Sequence, residues 1–274
     1  MNRIFAAYKP PFISSNLFLT HLKRKYREKS GGFSGTLDPF ARGVLIVAFG
    51  QYTRLFQFLA KTPKRYAATL FLGAVSPTLD IEKIGAIEQT KRLEIGEIEA
   101  AAQSFVGVSS QLPPLYSAIR IGGVRAYKIA RSGEDAPIAP REIEIFSIKI
   151  TAYCHPFLSF ECEVSEGCYV RSIGRDLAAV FGMSGALSSL TRLSEGRFCY
   201  ENERALNPLD FIDLPQNRYL GDERDLWEGK KVPADRFEKQ ADGSYVIAAE
   251  KFFTIVRIEG GLVGYRLGRT DLSL

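Results

Sequence analysis

Few residues in this chain are arranged for chemistry. Dinucleotide-binding glycine motifs, P-loops, HExxH and GxSxG are all missing from the sequence. The two histidines, His21 on a capped helix and His155 before a proline in a turn, both read as structural. Cys154, Cys162, Cys168 and Cys199 form no CxxC pair. That argues against a zinc site and for reduced, buried or half-buried thiols. What remains is one carboxylate, Asp38, inside GFSGTLDPFARGVL at 32–45. Leu-Asp-Pro alone is a common turn, with the aspartate bonding its own backbone. Two features suit a working acid instead. The flanking glycines let another backbone approach closely, and the surroundings are strongly cationic. An ionised carboxylate in a basic cleft is either a salt-bridge anchor or a nucleophile.

The charge around Asp38 is lopsided. Residues 1–65 hold 12 Lys/Arg against two acids, Glu28 and Asp38, a net +10, whereas the rest of the chain is net −5. Such asymmetry points to an anionic partner on the N-terminal side, nucleic acid first, with a solubilising basic face as the plain alternative. A membrane surface fits less well, because no basic helix carries bulky apolar anchors. No apolar run approaches the roughly 20 residues of a bilayer span, and MNRIFAAYKPPF lacks the long apolar stretch of a signal peptide. A cytoplasmic location and no membrane partner are therefore expected. At 274 residues, 46% of them hydrophobic, the chain can bury one large core, or a large one and a small one.

The elements that must position Asp38 can be sketched from periodicity. RIFAAY at 3–8 reads as a strand stopped by KPP. Ser14 or Ser15 caps a helix to about Tyr26, with Phe18, Leu19, Leu22 and Tyr26 facing the core. The glycine loop at 31–43 leads into a fully buried strand at 44–49, then a short helix at 53–60 and a strand at 65–73. A polar connection follows at 76–85, then a helix at 95–107. The segment 111–134 interleaves basic residues with tyrosines. It suits RNA bases stacking on rings, and equally a surface hairpin and helix packed by those rings. Paired strands follow at 141–154 and 157–165, then a helix at 167–182 with Ile173, Leu177, Val180 and Phe181 on one stripe, and a strand at 188–200. NPLDFIDLP at 207–215 reads as a domain boundary before a small β module. Without regular βαβ alternation, the order predicts an α+β domain with a mostly antiparallel sheet.

Six ordered segments carry a resemblance. GTLDPFARGVL, preceded by YKPPFISSN, resembles the TruB family of tRNA pseudouridine synthases. KRY at 64–66, LPPLYSAIR at 112–120, AYKIARSG at 126–133, GCYVRSIGRDL at 167–177 and LTRL at 190–193 continue it in order. The resemblance spans residues 4 to about 200 and is weaker beyond. It implies the pseudouridine synthase fold, with a mixed central sheet flanked by helices. The catalytic domain would cover 1–206, a mobile RNA-clamping region would include 112–134, and a β-rich PUA-like module would cover 215–274. It also implies an activity: isomerisation of uridine-55 in the T-arm loop of tRNA, with the base flipped from its stack and no cofactor or metal. Asp38 matches the nucleophile, Tyr66 the tyrosine that stacks on the base, and Arg171 the arginine paired with the aspartate. Leu190 matches an apolar pocket residue, and Lys9 with Pro10 a motif near the active-site wall. Nothing in the sequence calls for a protein partner, so a monomer is expected.

The sequence departs from the family pattern at several positions. Phe33 stands for a usual histidine, Phe12 for a glycine, Arg120 for a lysine and Pro77 for an acid, while Glu166 and Cys168 stand where lysine and threonine are frequent. Two other functions stay open on the sequence: a non-catalytic RNA-binding protein on the same scaffold, and the same reaction on another RNA.

Overall fold

The apolar runs become strands, and the loop that carries Asp38 sits between two of them. The computed structural model of the chain describes residues 1–117, 119–132 and 138–272. The N-terminal part comprises β1 (Arg3–Lys9), α1 (Ser15–Lys25), β2 (Gly31–Ser34), β3 (Arg42–Phe49), β4 (Lys64–Leu72), and the two-residue strands β5 (Ala74–Val75) and β6 (Ala86–Ile87). Next come α2 (Ile95–Gln103), β7 (Gly107–Gln111), β8 (Arg120–Ile121), β9 (Val124–Arg125) and α3 (Ala126–Ser132). They are followed by β10 (Arg141–Cys154), β11 (Phe157–Val164), α4 (Val170–Val180) and β12 (Gly185–Glu195). The C-terminal part holds β13 (Gln216–Asn217), α5 (Glu223–Trp227), β14 (Gly243–Ala248), β15 (Phe252–Glu259) and β16 (Leu262–Asp271).

Eight strands make one sheet in the order β1-β3-β12-β4-β11-β10-β7, with β2 also on β3. Its single parallel pairing joins β12 to β3, Thr191 opposite Arg42 and Arg192 opposite Gly43. The α+β class and the mostly antiparallel mixed sheet therefore hold. The parallel seam matters because it brings β12 against the end of the Asp38 loop. A second sheet, β13-β14-β15-β16, forms the C-terminal region.

β3 explains its own unbroken apolar sequence. Leu45, Val47 and Phe49 pack on one face with Phe18 and Leu22 of α1. Val44, Ile46 and Ala48 pack on the other with Val246, Phe253 and Ile255 of the C-terminal sheet. A strand buried on both faces has no polar alternation. The same cluster takes in Leu209, Phe211, Ile212 and Leu214. The segment at 207–215 is thus packed apolar chain rather than a free linker, because several of its residues are large and hydrophobic.

Several elements differ from the expectation. The first four residues of the glycine loop form β2, pairing with β3 from Gly31 opposite Phe49 to Ser34 opposite Ile46. The helix expected at 53–60 is a 3-10 helix over Gly50–Gln57. The helix expected to reach 107 stops at Gln103, and Gly107 opens a strand instead. Val180 is exposed at the end of α4, while Leu177 and Ala178 of the same last turn are buried. The strand expected at 188–200 runs from Gly185 to Glu195. Cys154 and Cys199 are exposed rather than buried. The 111–134 segment forms the β8–β9 hairpin and α3. Within it Ala118, Gly133 and Glu134, and the side chains of Arg120, Tyr127, Lys128 and Arg131, lie outside the described residues.

Gly43 is where the seam closes tightest. Its φ is 114°, and a Cβ there would lie 2.2 Å from the carbonyl oxygen of Arg192. Backbone cannot move aside as a side-chain end can. Gly43→Ala is therefore expected to lower the unfolding free energy by about 3 kcal/mol or more. Gly264→Ala, where a Cβ meets nothing within 4 Å, is the control. Urea titration of both checks the difference, and equal stabilities would refute it.

Candidate active site

The loop from Gly35 to Gly43 is held at several of its backbone groups. The first residue of α1, Ser15, accepts from the Leu37 N–H and donates to the Leu37 carbonyl, both at 3.0 Å. Ser14, just before it, caps the helix through the Leu17 N–H. The Pro39 carbonyl accepts from the Phe12 N–H at 2.6 Å and from Lys9 Nζ at 3.2 Å. Arg192 ties the two ends together. Its Nη2 donates to the Gly35 carbonyl at 2.9 Å and its Nε to the Val44 carbonyl at 2.7 Å. That guanidinium is sealed in the interior, where Glu195 lies 3.4 Å from it and 3.3 Å from Lys64. Gly35 has a φ of 62°, and a Cβ there would come 2.9 Å from Glu195 Oε1. The glycine thus serves close approach as well as the turn.

This clamp leaves the Asp38 side chain about one-third exposed (32%) beside a guanidinium that is 2% exposed. Arg171, in the first turn of α4, places Nε 2.8 Å from Oδ2 of Asp38 and donates from Nη2 to Oδ1 at 3.0 Å. Two-point contact fixes the carboxylate plane as well as its charge. The remaining Arg171 contacts come from other loops. Nη1 donates to the Thr78 carbonyl at 2.5 Å and lies 3.6 Å from the buried Asp80 carboxylate, and Nη2 also donates to the Tyr116 carbonyl at 3.0 Å. A buried charge needs such partners.

Asp80 is held in turn by the Thr78 hydroxyl at 2.6 Å and the Glu82 N–H at 3.0 Å. Burial raises its pKa, against the pull of those hydrogen bonds and of Arg171. Glu82 is also raised, first by burial and then by the charges of Asp80 and Asp38. Leu79, between Thr78 and Asp80, has a φ of 59°, and its carbonyl receives the Leu187 N–H. That left-handed residue is part of what turns Asp80 inward.

A cavity of about 400 Å³ opens over Asp38 and Arg171, walled by Leu37, Asp80, Tyr116 and Arg125. Its volume suits a single small ligand such as a nucleoside. Asp38 and Arg171 meet as the resemblance implies. The other three expected site residues sit behind the cavity. Tyr66 and Leu190 are buried in the core cluster that includes Leu37 and are not among the residues that line the cavity. Burial pushes the Tyr66 phenol up to about 12, with Arg192 offsetting part of the effect. Lys9, expected on the substrate side, is fully buried, and its Nζ donates to the carbonyls of Pro10, Ile13 and Pro39. It fastens the KPPF turn to the loop, because three carbonyls converge on it. Burial lowers Lys9 to about 8, with Asp38 and Glu82 pulling it back up. Phe33 lies in β2 and is half-buried against the α1 cluster.

Sequence reasoning missed Asp80 and the Arg192–Glu195 pair. One signal for Asp80 was available. Thr-Leu-Asp occurs twice, at 36–38 and 78–80, and both aspartates end on Arg171. Nothing local marks Glu195, whose role depends on cross-strand pairing with Lys64.

Residues 23–170 match the family model described as TruB family pseudouridylate synthase (N terminal domain). A protein of Campylobacter jejuni (strain RM1221) named tRNA pseudouridine synthase B is 46% identical over 271 residues, 99% of each chain. Proteins of the same name from a Nitratiruptor species and a Sulfurovum species are 47% and 48% identical over 269 residues, 98% of this chain and 98% and 97% of theirs. Among solved structures, a chain of a Cbf5-Nop10-Gar1 complex superposes with a TM-score of 0.68 at 17% identity, over 99% of this chain and 84% of that one. A chain of an H/ACA RNP bound to a substrate RNA gives 0.63 at 16%, with the same coverage. At these identities the likeness concerns the fold.

Removing Arg171 should be costly in a way that pH reveals. Arg171→Met strands Asp80 in the interior without its cation, and a loss of about 3–5 kcal/mol is expected from urea unfolding. The Asp80 pKa, already raised, rises further in this variant. The folded state then takes up a proton that the unfolded chain binds only at lower pH. Stability is therefore regained as pH falls through the acidic range. Arg171→Met/Asp80→Asn should recover part of the loss and most of the pH dependence. A single variant whose stability is flat over that range would count against the pairing.

Proposed function

The chain belongs to the TruB family of pseudouridylate synthases, and on that premise we propose that it isomerises uridine-55 in the T-arm loop of tRNA, with Asp38 as the nucleophile acting on a flipped-out base. The protein is an isomerase of the pseudouridine synthase class, and its relatives over the whole chain are named for tRNA. The observation that carries the finer reading is the Asp38 carboxylate itself. It is held at both oxygens by a buried arginine, yet reachable from a cavity of about 400 Å³.

The chemistry fits these residues. Uridine and pseudouridine are isomers. The bond from N1 to the ribose breaks, the bond from C5 forms, C5 loses a proton and N1 gains one. No group or electron donor enters the balance. What the reaction needs is a nucleophile, a base held still, and exclusion of water from the detached ring. Arg171 keeps the carboxylate oriented, and its own burial keeps it from wandering to the RNA phosphates. The apolar wall formed by Leu37, with Tyr66 and Leu190 behind it, suits the face of a planar base. Extruding a base costs a few kcal/mol, less for a loop nucleotide than for a paired one. Lys83 and Arg125 at the cavity are placed to meet phosphates. In this reading the protein works in the cytoplasm as a monomer, and the C-terminal module of 215–274 adds RNA-binding surface.

Purified protein incubated with unmodified tRNA should yield pseudouridine in the T loop, mapped at nucleotide resolution. Asp38→Asn should fold, since it keeps the side-chain shape and one acceptor, and should make no detectable product. Product elsewhere but not at the T loop, or full activity in Asp38→Asn, would end this reading.

A further inference from the structure

Five non-glycine residues have positive φ among those described: Phe12 (65°), Arg27, Leu79, Asn202 and Glu203. Four have a local reason. Arg27 ends α1, with its N–H on the Arg24 carbonyl. Leu79 turns Asp80 inward. Asn202 and Glu203 shape a turn whose glutamate holds Lys25 and Tyr26. Phe12 is different. A left-handed backbone costs folding free energy for any residue with a Cβ, and glycine would adopt it freely. The fold recovers little from this ring, which is 68% exposed. Backbone outliers that the packing does not repay concentrate at functional sites.

The turn that carries Phe12 is rigid and close to the chemistry. Its N–H is bonded to Pro39, the residue after Asp38, and Lys9 binds the carbonyls on either side of it, Pro10 and Ile13. Two residues further on, Ser14, the cap of α1, lines the cavity together with Ser15 and Asn16. The backbone that carries the exposed ring is thus fastened beside the cavity, to Pro39 of the Asp38 loop.

We propose that Phe12 is a nucleobase-stacking residue, which receives a base adjoining the nucleotide that enters the cavity. The proposal rests on the pseudouridylation reading above. When one base leaves a stack its neighbour loses a partner on that face, and an aromatic ring replaces it regardless of base identity. RNA fits better than a protein surface as the occupant. A single ring offers far less area than a stable protein interface needs, while Lys83 and Arg125 at the same cavity and the net +10 of residues 1–65 suit a polyanion. Phe33, half-buried under α1, does not offer a comparable exposed ring.

The test compares wild type, Phe12→Gly and Phe12→Trp on an unmodified T-arm stem-loop RNA, with thermal unfolding measured without RNA. Phe12→Gly relieves the backbone and should unfold at the same temperature or higher. Its KM should rise about 10-fold, the order expected for one stacked base, with the loss on KM rather than kcat. Phe12→Trp, which keeps a ring, should stay near wild type. A Phe12→Gly protein with unchanged KM overturns the proposal, and so does one that melts markedly lower, since its ring would then be serving the fold. If the wild type forms no pseudouridine, the function reading fails by itself. Binding of the same stem-loop, followed by fluorescence anisotropy, still decides the stacking: equal affinity of wild type and Phe12→Gly refutes it.

Discussion

One buried guanidinium sets the geometry of this site. Arg171 cannot sit at 2% exposure without partners, because a desolvated cation unmatched by acceptors costs several kcal/mol. The partners come from three separate stretches of chain: Asp38 from the glycine loop, Thr78 and Asp80 from the connection after β5, and Tyr116 from the segment before β8. None of these stretches is a regular helix or strand. A single charge gathers them. Correct folding and correct placement of the Asp38 carboxylate are therefore the same event, and the cavity is what remains between the gathered segments.

A second buried cation does for the loop ends what Arg171 does for its centre. Arg192 spans Gly35 and Val44, and the parallel seam between β12 and β3 sets its distance from Gly43. The two clamps differ in consequence. Arg171 faces the cavity and shares Asp38 with whatever enters. Arg192 is enclosed with Glu195 and Lys64 and meets only protein. The glycines that look like flexibility in the sequence are the opposite in the fold, since they let backbone and ion pairs close in until the loop has little room to move.

Much of this was legible in the residues, and the limits have physical causes. β3 announced itself, because a strand buried on both faces has no polar position. A cap at Ser14 or Ser15 and the stripe of α1 followed from spacing along one helix, and in the fold Ser14 is the cap. Asp38 stood out as a lone acid among cations, and its pairing with Arg171, 133 residues away, came from the resemblance and not from any local pattern. Lys9 shows why matching a motif does not fix a role. Near the site in sequence and in space, it points away from the cavity into carbonyl oxygens. Tyr66 and Leu190 lie one layer deeper than expected, because β4 and β12 are central strands whose inward faces are core. Glu195 was invisible, since its partner Lys64 is brought to it by a cross-strand register.

Lys9 also gives the loop a built-in clock. Set free, its side chain would be an ordinary reactive lysine, because the burial that lowers its pKa to about 8 would be gone. Yet it is fully buried, and no reagent touches it while the Pro10, Ile13 and Pro39 carbonyls hold it. Acylation at this one lysine, set against the exposed lysines of the same molecule, would count how often the Asp38 loop lets go, and RNA seated over the loop would slow that count.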